Sequence, residues 1–273
     1  MSAATAASQR FSTAPEPTGP AGSGPPLRRL ICAECSKIVS TYAVWGLLGA
    51  ALLLCGLGVI SPIVTARDDG LDLGSADAIR TVFSAIGGAE IPALALGILA
   101  SAGEFRHGMA ELTFLAVPQR GRMLAAKAVA LALAGAAIAL ACAVLAVAVA
   151  LPWLAAKHAS PGLFDGELWR AATGATAATA LYGVLGVAVG YLIRGLAAAL
   201  VIAIVWFLAV ESAILALWDD GGRYLPGGGA SGMARSTAGN LLGQGASALL
   251  LAGWVAAFLA LACWQLRRKD IAS

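Results

Sequence analysis

Apolar residues in this chain gather into long runs separated by short polar links. Six runs are long enough to cross a bilayer, since about 20 residues at the helical rise span about 30 Å of hydrocarbon. They cover 41–64, 79–102, 124–154, 170–193, 196–217 and 244–265. Ala and Leu dominate them, and a backbone in lipid must pair its own polar groups. The pattern therefore predicts an all-α integral membrane protein with six transmembrane helices and no strands. Six spans put both termini on one side. Pro62, Pro92 and Pro152 are expected to kink or end their spans.

The stretches outside these runs carry their own patterns. Residues 1–26 are rich in Ala, Ser, Thr, Pro and Gly and hold no apolar core segment, which predicts a disordered cytoplasmic tail rather than a signal peptide. Residues 27–40 place Leu27, Leu30, Ile31, Cys35, Ile38 and Val39 at helical spacing, with Arg28, Arg29, Ser36 and Lys37 filling the other face. That spacing predicts an interfacial helix with its basic face toward anionic lipid headgroups. Glu34 interrupts the apolar stripe, either pairing with Lys37 one turn on or pointing to a partner or another span. The link 103–122 between spans 2 and 3 is long, and its first half has helical potential until Pro118 stops it. It offers a knob that a soluble protein can grip, or an ordinary interfacial helix. The link 218–243 is too rich in Gly and Pro for one long helix. Tyr224, Leu225, Met233, Leu241 and Leu242 give it apolar handholds, so it is either a re-entrant cap or a plain loop. Residues 267–273 form a basic tail.

Composition sharpens the class. Of 273 residues, 59% are hydrophobic and 12% charged, with a mean hydropathy of +0.83. A soluble domain carries about 25% charged residues, so a soluble enzyme is excluded. A net charge of +3 from scattered basic residues makes no case for nucleic acid. With the spans as drawn, 12 Lys and Arg fall on the side of the termini and 6 on the other, where the links are acidic. The positive-inside rule makes the basic side cytoplasmic. Abundant Ala and Gly indicate a GC-rich bacterial genome.

Little reactive chemistry is encoded. Cys55, Cys142 and Cys263 lie in apolar runs, and the Cys32–Cys35 pair lacks a second pair of ligands to complete a metal site. No Lys follows a Gly, so no P-loop holds phosphate here, and neither H-E-x-x-H nor G-x-S-x-G occurs. If ATP drives this protein, another chain binds it. Two acids lie inside spans. Counted from the outer ends, Glu90 is about 16 Å deep and Glu211 about 10 Å, so the two can share one cavity. One reading is a polar site on a translocation path, suited to cationic or hydrogen-bonding substrates; the other is an interhelical hydrogen bond to a Thr, a Tyr or a backbone carbonyl. Thr173 and Thr176 share a face of span 4 and are candidates for the same path, while Gly186 and Gly190 form a G-x-x-x-G read as packing.

The ordered set of a surface helix, six spans, a cytoplasmic link helix after span 2 and a broken outer segment before span 6 resembles the membrane subunit of type-2 ABC transporters, the export permeases. The local matches are "AECSK" (Ala33–Lys37), "EFRHGM" (Glu104–Met109), "LAVPQRGRMLAAK" (Leu115–Lys127) and "RYLPG" (Arg223–Gly227). They follow the family's order over residues 27–268. Where the family commonly has Gly-Thr this chain has Gly108-Met109, so a role needing that hydroxyl is not carried over. The resemblance implies a coupling helix from Glu104 to about Val117 that docks on a separate ATPase subunit, with Glu104, Phe105, Arg106, His107, Gly108, Glu111 and Arg120 as the coupling residues. It further implies two permease copies, or two related ones, with the path between them. Glu34 and Lys37 of the surface helix would lie near the coupling helix. No cofactor is implied on this chain, ATP and magnesium belonging to the partner. The implied function is ATP-driven export of a drug, antibiotic or lipid-like molecule across the bacterial cytoplasmic membrane, by a transport subunit that is not itself an enzyme. Rival readings are a proton-coupled carrier using Glu90 and Glu211, against which no internal inverted repeat is evident, and a non-transporting membrane anchor that recruits a soluble partner.

Overall fold

A computed structural model describes residues 26–65, 75–106, 120–156, 166–237 and 240–268. The described residues are helical almost throughout and contain no strand. Six helical stretches are long and apolar enough to cross a membrane: Tyr42–Thr65, Ala76–Phe105, Gly121–Ala156, Gly166–Ile193, Leu196–Ile214 and Gln244–Leu266. The helices are α1 (Leu27–Ser40), α2 (Tyr42–Thr65), α3 (Ala76–Ser84), α4 (Glu90–Arg106), α5 (Arg120–Ala156), α6 (Gly166–Ile193), α7 (Leu196–Ile204), α8 (Glu211–Leu217), α9 (Asp219–Gly222), α10 (Pro226–Met233) and α11 (Gln244–Arg268).

Two spans are interrupted where the sequence predicts plain helices. Span 2 starts at a Ser75 cap, whose hydroxyl accepts the Ala78 N–H at 3.2 Å, and so begins three residues earlier than expected. It then tightens into a 3₁₀ turn over Ala85–Ala89 before α4 resumes at Glu90. Pro92 falls in the first turn of α4, where its missing N–H costs nothing. Pro62 and Pro152 lie within the last turn or so of α2 and α5, and both helices run on through them for a few residues. Span 5 contains a π-helical stretch, Val205–Val210, between α7 and α8. Such π segments are uncommon and tend to occur at functional sites.

α4 and α6 form the buried centre. Their backbones cross at small residues: a Cβ on Gly186 would strike the Leu94 carbonyl, and one on Gly97 the Gly183 carbonyl. The G-x-x-x-G of α6 therefore packs against α4 within this chain, with Gly190 lying over Ser101. α2, α7 and α11 lie around this pair and turn large apolar side chains outward, among them Leu53, Leu57, Val201 and Leu249.

The segment before span 6 is more than a plain loop. Pro226 opens α10 at a helix start, and Gly228, Gly229, Ala230 and Gly232 let it pack closely against its neighbours. A Cβ on Gly174 of α6 would collide with the Met233 carbonyl, and one on Gly232 with the Ser247 hydroxyl of α11. At this end of the bundle Glu167 receives Arg80 at 2.9 Å and Arg235 at 2.7 Å, tying α3, α6 and the end of α10 together.

Candidate functional site: an ion cluster beneath the surface helix and a buried carboxyl within the bundle

The amphipathic α1 docks through a charge placed inside the bundle. Lys127, in the second turn of α5, is 1% exposed. Its ammonium reaches Glu34 Oε2 at 2.7 Å, Glu104 Oε1 at 2.8 Å and the Ala100 carbonyl at 3.0 Å, so all three of its donors are engaged. Lys37 closes the cluster at 2.6 Å from Glu34 and 3.7 Å from Glu104. Two carboxylates and two ammoniums balance in charge, the condition under which buried ions are tolerated. Burial alone would raise the Glu34 carboxyl above its ordinary 4.5, but the Lys127 charge and the hydrogen bonds from Lys127 and Lys37 outweigh it and hold it lower. Burial likewise opposes the Lys37 charge, yet Glu34 and Glu104 keep its ammonium above the ordinary 10.5.

Both sequence readings of Glu34 hold at once: one oxygen pairs with Lys37 and the other reaches another span. Glu104 and Phe105 differ from the expectation of a separate link helix. They complete the last turn of α4, and their side chains turn inward. The reason is the cation waiting at Lys127 and the aromatic edge of Tyr191, whose ring stands at 87° to Phe105 with centroids 5.7 Å apart. The Arg194 guanidinium covers Phe105 at 5.4 Å. Arg194 takes a left-handed conformation, φ 59°, just past the C-terminus of α6. Arg106 ends α4 and Arg120 opens α5, while His107, Gly108 and Glu111 lie outside the described residues. Arg28 and Arg29 are exposed on the first turn of α1.

Glu90 and Glu211, distant in sequence, hold matching places in spans 2 and 5. Each is the first α-helical residue after an irregular turn, Glu90 after the 3₁₀ segment and Glu211 after the π segment. The Glu211 carboxylate and the Tyr182 hydroxyl of α6 both lie around Gly227 of α10. Glu211 is 2% exposed. Its Oε2 accepts the Gly227 N–H of α10 at 3.0 Å, so the partner is a backbone N–H rather than the Thr, Tyr or backbone carbonyl expected. A Cβ at position 227 would strike that carboxylate. The other oxygen, Oε1, is buried and finds no hydrogen-bond partner among the described residues. Tyr182 packs on Phe207 of the π segment with ring centroids 5.3 Å apart.

Thr173 and Thr176 keep to their own helix. Their hydroxyls bond the Trp169 and Ala172 carbonyls of their own helix, both at 2.7 Å, and Thr173 is exposed. Lys127 counts in the sequence only as one more basic residue on the side of the termini. It was nonetheless legible as a site, because it lies three residues inside the predicted third span, where an ionisable side chain needs a partner. Tyr182 and Gly227 carry no such mark. No family model matches the chain, and no curated protein matches it either.

Proposed function

We propose that this chain is the transmembrane permease subunit of an ATP-driven exporter of the type-2 ABC kind, working with a separate ATPase subunit and a second permease, identical or related. The observation that carries the reading is the Lys127 cluster, which ties the surface helix α1 to α5 and to the last turn of α4. That turn leads directly into the link 107–119. Force applied to the link by a soluble motor reaches α1, span 2 and span 3 together, because buried ion pairs hold position far better than exposed ones. The ordered motifs of the export permeases and the excess of Lys and Arg on the α1 side support placing that side in the cytoplasm of a bacterial cell, with both termini there. Closure of the ATPase dimer then tilts α4 and α5 and opens a path outward for a hydrophobic or amphipathic molecule. ATP and magnesium stay on the partner.

The test is whether a P-loop ATPase is encoded beside this chain and co-purifies with it, followed by reconstitution of the two together. ATP-dependent export that survives collapse of the proton gradient supports the reading. A second reading, a proton-coupled carrier, draws on the two acids inside the spans, Glu90 and Glu211. It requires the opposite outcome, transport without ATP that stops when the proton gradient is dissipated.

A further inference from the structure

A polar cavity of about 500 Å³ opens at the end of span 2 opposite Glu104. Its lining includes Asp77, Arg80 and Thr81 of α3, Arg235 and Thr237 just past α10, and Gln244 at the start of α11. Spans 2 and 6 begin in those turns, so the cavity lies at the level where hydrocarbon gives way to lipid headgroups. One carboxylate holds its two guanidiniums: Glu167 Oε2 takes Arg80 Nε at 2.9 Å and Arg235 Nη2 at 2.7 Å. Arg170 stands 3.5 Å from the other Glu167 oxygen, and Asp77, largely in water, 3.1 Å from Arg80. Three guanidiniums against two carboxylates leave one positive charge in excess. The Arg235 Nε is buried and finds no acceptor among the described residues, so the chain itself does not saturate this guanidinium. Arg235 also takes a left-handed conformation, φ 58°, a strained backbone of the sort that collects at binding sites.

We propose that this cavity binds a phosphoglycerol group, its phosphate on the guanidiniums of Arg80 and Arg235 and its glycerol hydroxyls on Asp77 and Gln244. Planar guanidiniums match the oxygens of a phosphate in pairs, and the excess positive charge beside them favours an anion. Gln244 commits its amide nitrogen to the Arg170 and Met233 carbonyls at 2.7 and 3.0 Å, so its oxygen is the atom it offers to a hydroxyl. The Thr81 and Thr237 hydroxyls, 3.0 Å apart, supply further donors and acceptors on one wall. A volume of about 500 Å³ is within the range of small-molecule sites and takes a whole headgroup rather than a bare ion. Phosphatidylglycerol of the adjoining leaflet and free glycerol phosphate carry the same chemistry. The site depends on neither an ATPase nor transport.

The experiment is titration of the full chain in detergent with phosphatidylglycerol, read by native mass spectrometry, beside parallel titrations with phosphatidylcholine and with glycerol 1-phosphate. One phosphatidylglycerol per chain should be retained at least tenfold more tightly than phosphatidylcholine, which lacks both the net charge and the glycerol hydroxyls. Arg235→Gln should weaken that binding about tenfold or more, since charge-assisted hydrogen bonds are lost. Glycerol 1-phosphate binding as tightly as the lipid, and weakened by the same variant, assigns the site to a soluble phosphoester; much weaker binding of it assigns the site to the lipid. Thr237 is exposed and lies outside the Glu167 network, so it serves if Arg235→Gln fails to fold. Thr237→Asp sets a negative charge at the cavity and should also weaken binding about tenfold, while Thr237→Asn should stay within twofold of wild type. Absence of saturable binding of either ligand, equal affinity for the two lipids without binding of glycerol 1-phosphate, or equal binding by Thr237→Asp and Thr237→Asn would overturn the inference.

Discussion

Replacing Lys127 by Met keeps the volume and removes the charge at the junction of α1, α4 and α5. Glu34 and Glu104 are 6% and 8% exposed, so neither can turn to water without moving a helix. Lys37 remains, with a half-exposed side chain at 2.6 Å from one carboxylate and 3.7 Å from the other. Deleting one partner of a buried ion pair costs about 3–5 kcal/mol, because the groups left behind are desolvated and unpaired. The least expensive escape is undocking of α1, whose other contacts with the bundle are made by a narrow apolar stripe with Ile38 at its centre. At 1.36 kcal/mol per decade, the undocked population should rise by about two to almost four orders of magnitude. Hydrogen exchange of the α1 amides in nanodiscs reads this directly, with α6 as an internal reference. Faster exchange confined to residues 27–40 is the expected result. Unchanged α1 exchange in Lys127→Met would refute the reasoning that the buried ammonium holds the surface helix down.

Other outcomes follow from the same contacts. The depressed Glu34 carboxyl contributes stability that is present above about pH 4.5 and is lost as pH falls through its lower folded value; the raised Lys37 contributes stability that is present below about pH 10.5 and lost above its folded value. Protection of the α1 amides, relative to their intrinsic exchange at each pH, should therefore be flat between these limits and fall outside them, and a change centred near pH 7 would contradict the assignment. Gly186→Val drives a side chain into the Leu94 carbonyl and should cost more than about 3 kcal/mol of overpacking, seen as loss of monodisperse protein, whereas Gly49→Ala, with nothing within 4 Å, should be tolerated. Arg106→Glu should abolish ATP-driven transport with insertion and α1 exchange unchanged. Glu104→Lys should lose transport and also release α1, because it sets a second cation against Lys127. Equal behaviour of these two variants would sink the division of labour between a buried anchor and a motor contact.

All six spans were legible as apolar runs, because lipid imposes a length and a composition that few other environments require. Their ends were less so. Span 4 begins at Gly166 rather than 170, since Glu167 binds Arg80 and Arg235 and extends the helix outward, a partnership across 87 and 68 residues that no local pattern displays. The 3₁₀ and π turns were invisible for the same reason: Val205–Val210 reads as ordinary apolar helix, and only packing selects its winding. Glu90 and Glu211 stood out singly as acids in hydrocarbon, at depths that let them share one cavity. The setting of Glu211 against Gly227 depends on how a Gly-rich helix folds back against α6 and α11, which glycine content alone leaves open. Glu104 misled because its neighbours look like a surface loop while its own partner, Lys127, lies 23 residues on.

The link after span 2 is where the account is most exposed to contradiction. A photo-crosslinking amino acid placed at His107 in living cells should capture a P-loop ATPase from the cytosol, in an adduct that depends on the intact chain. Adducts only with lipid or with proteins outside the cytoplasmic membrane, or labelling of residue 107 by an impermeant reagent applied to whole cells, would contradict it.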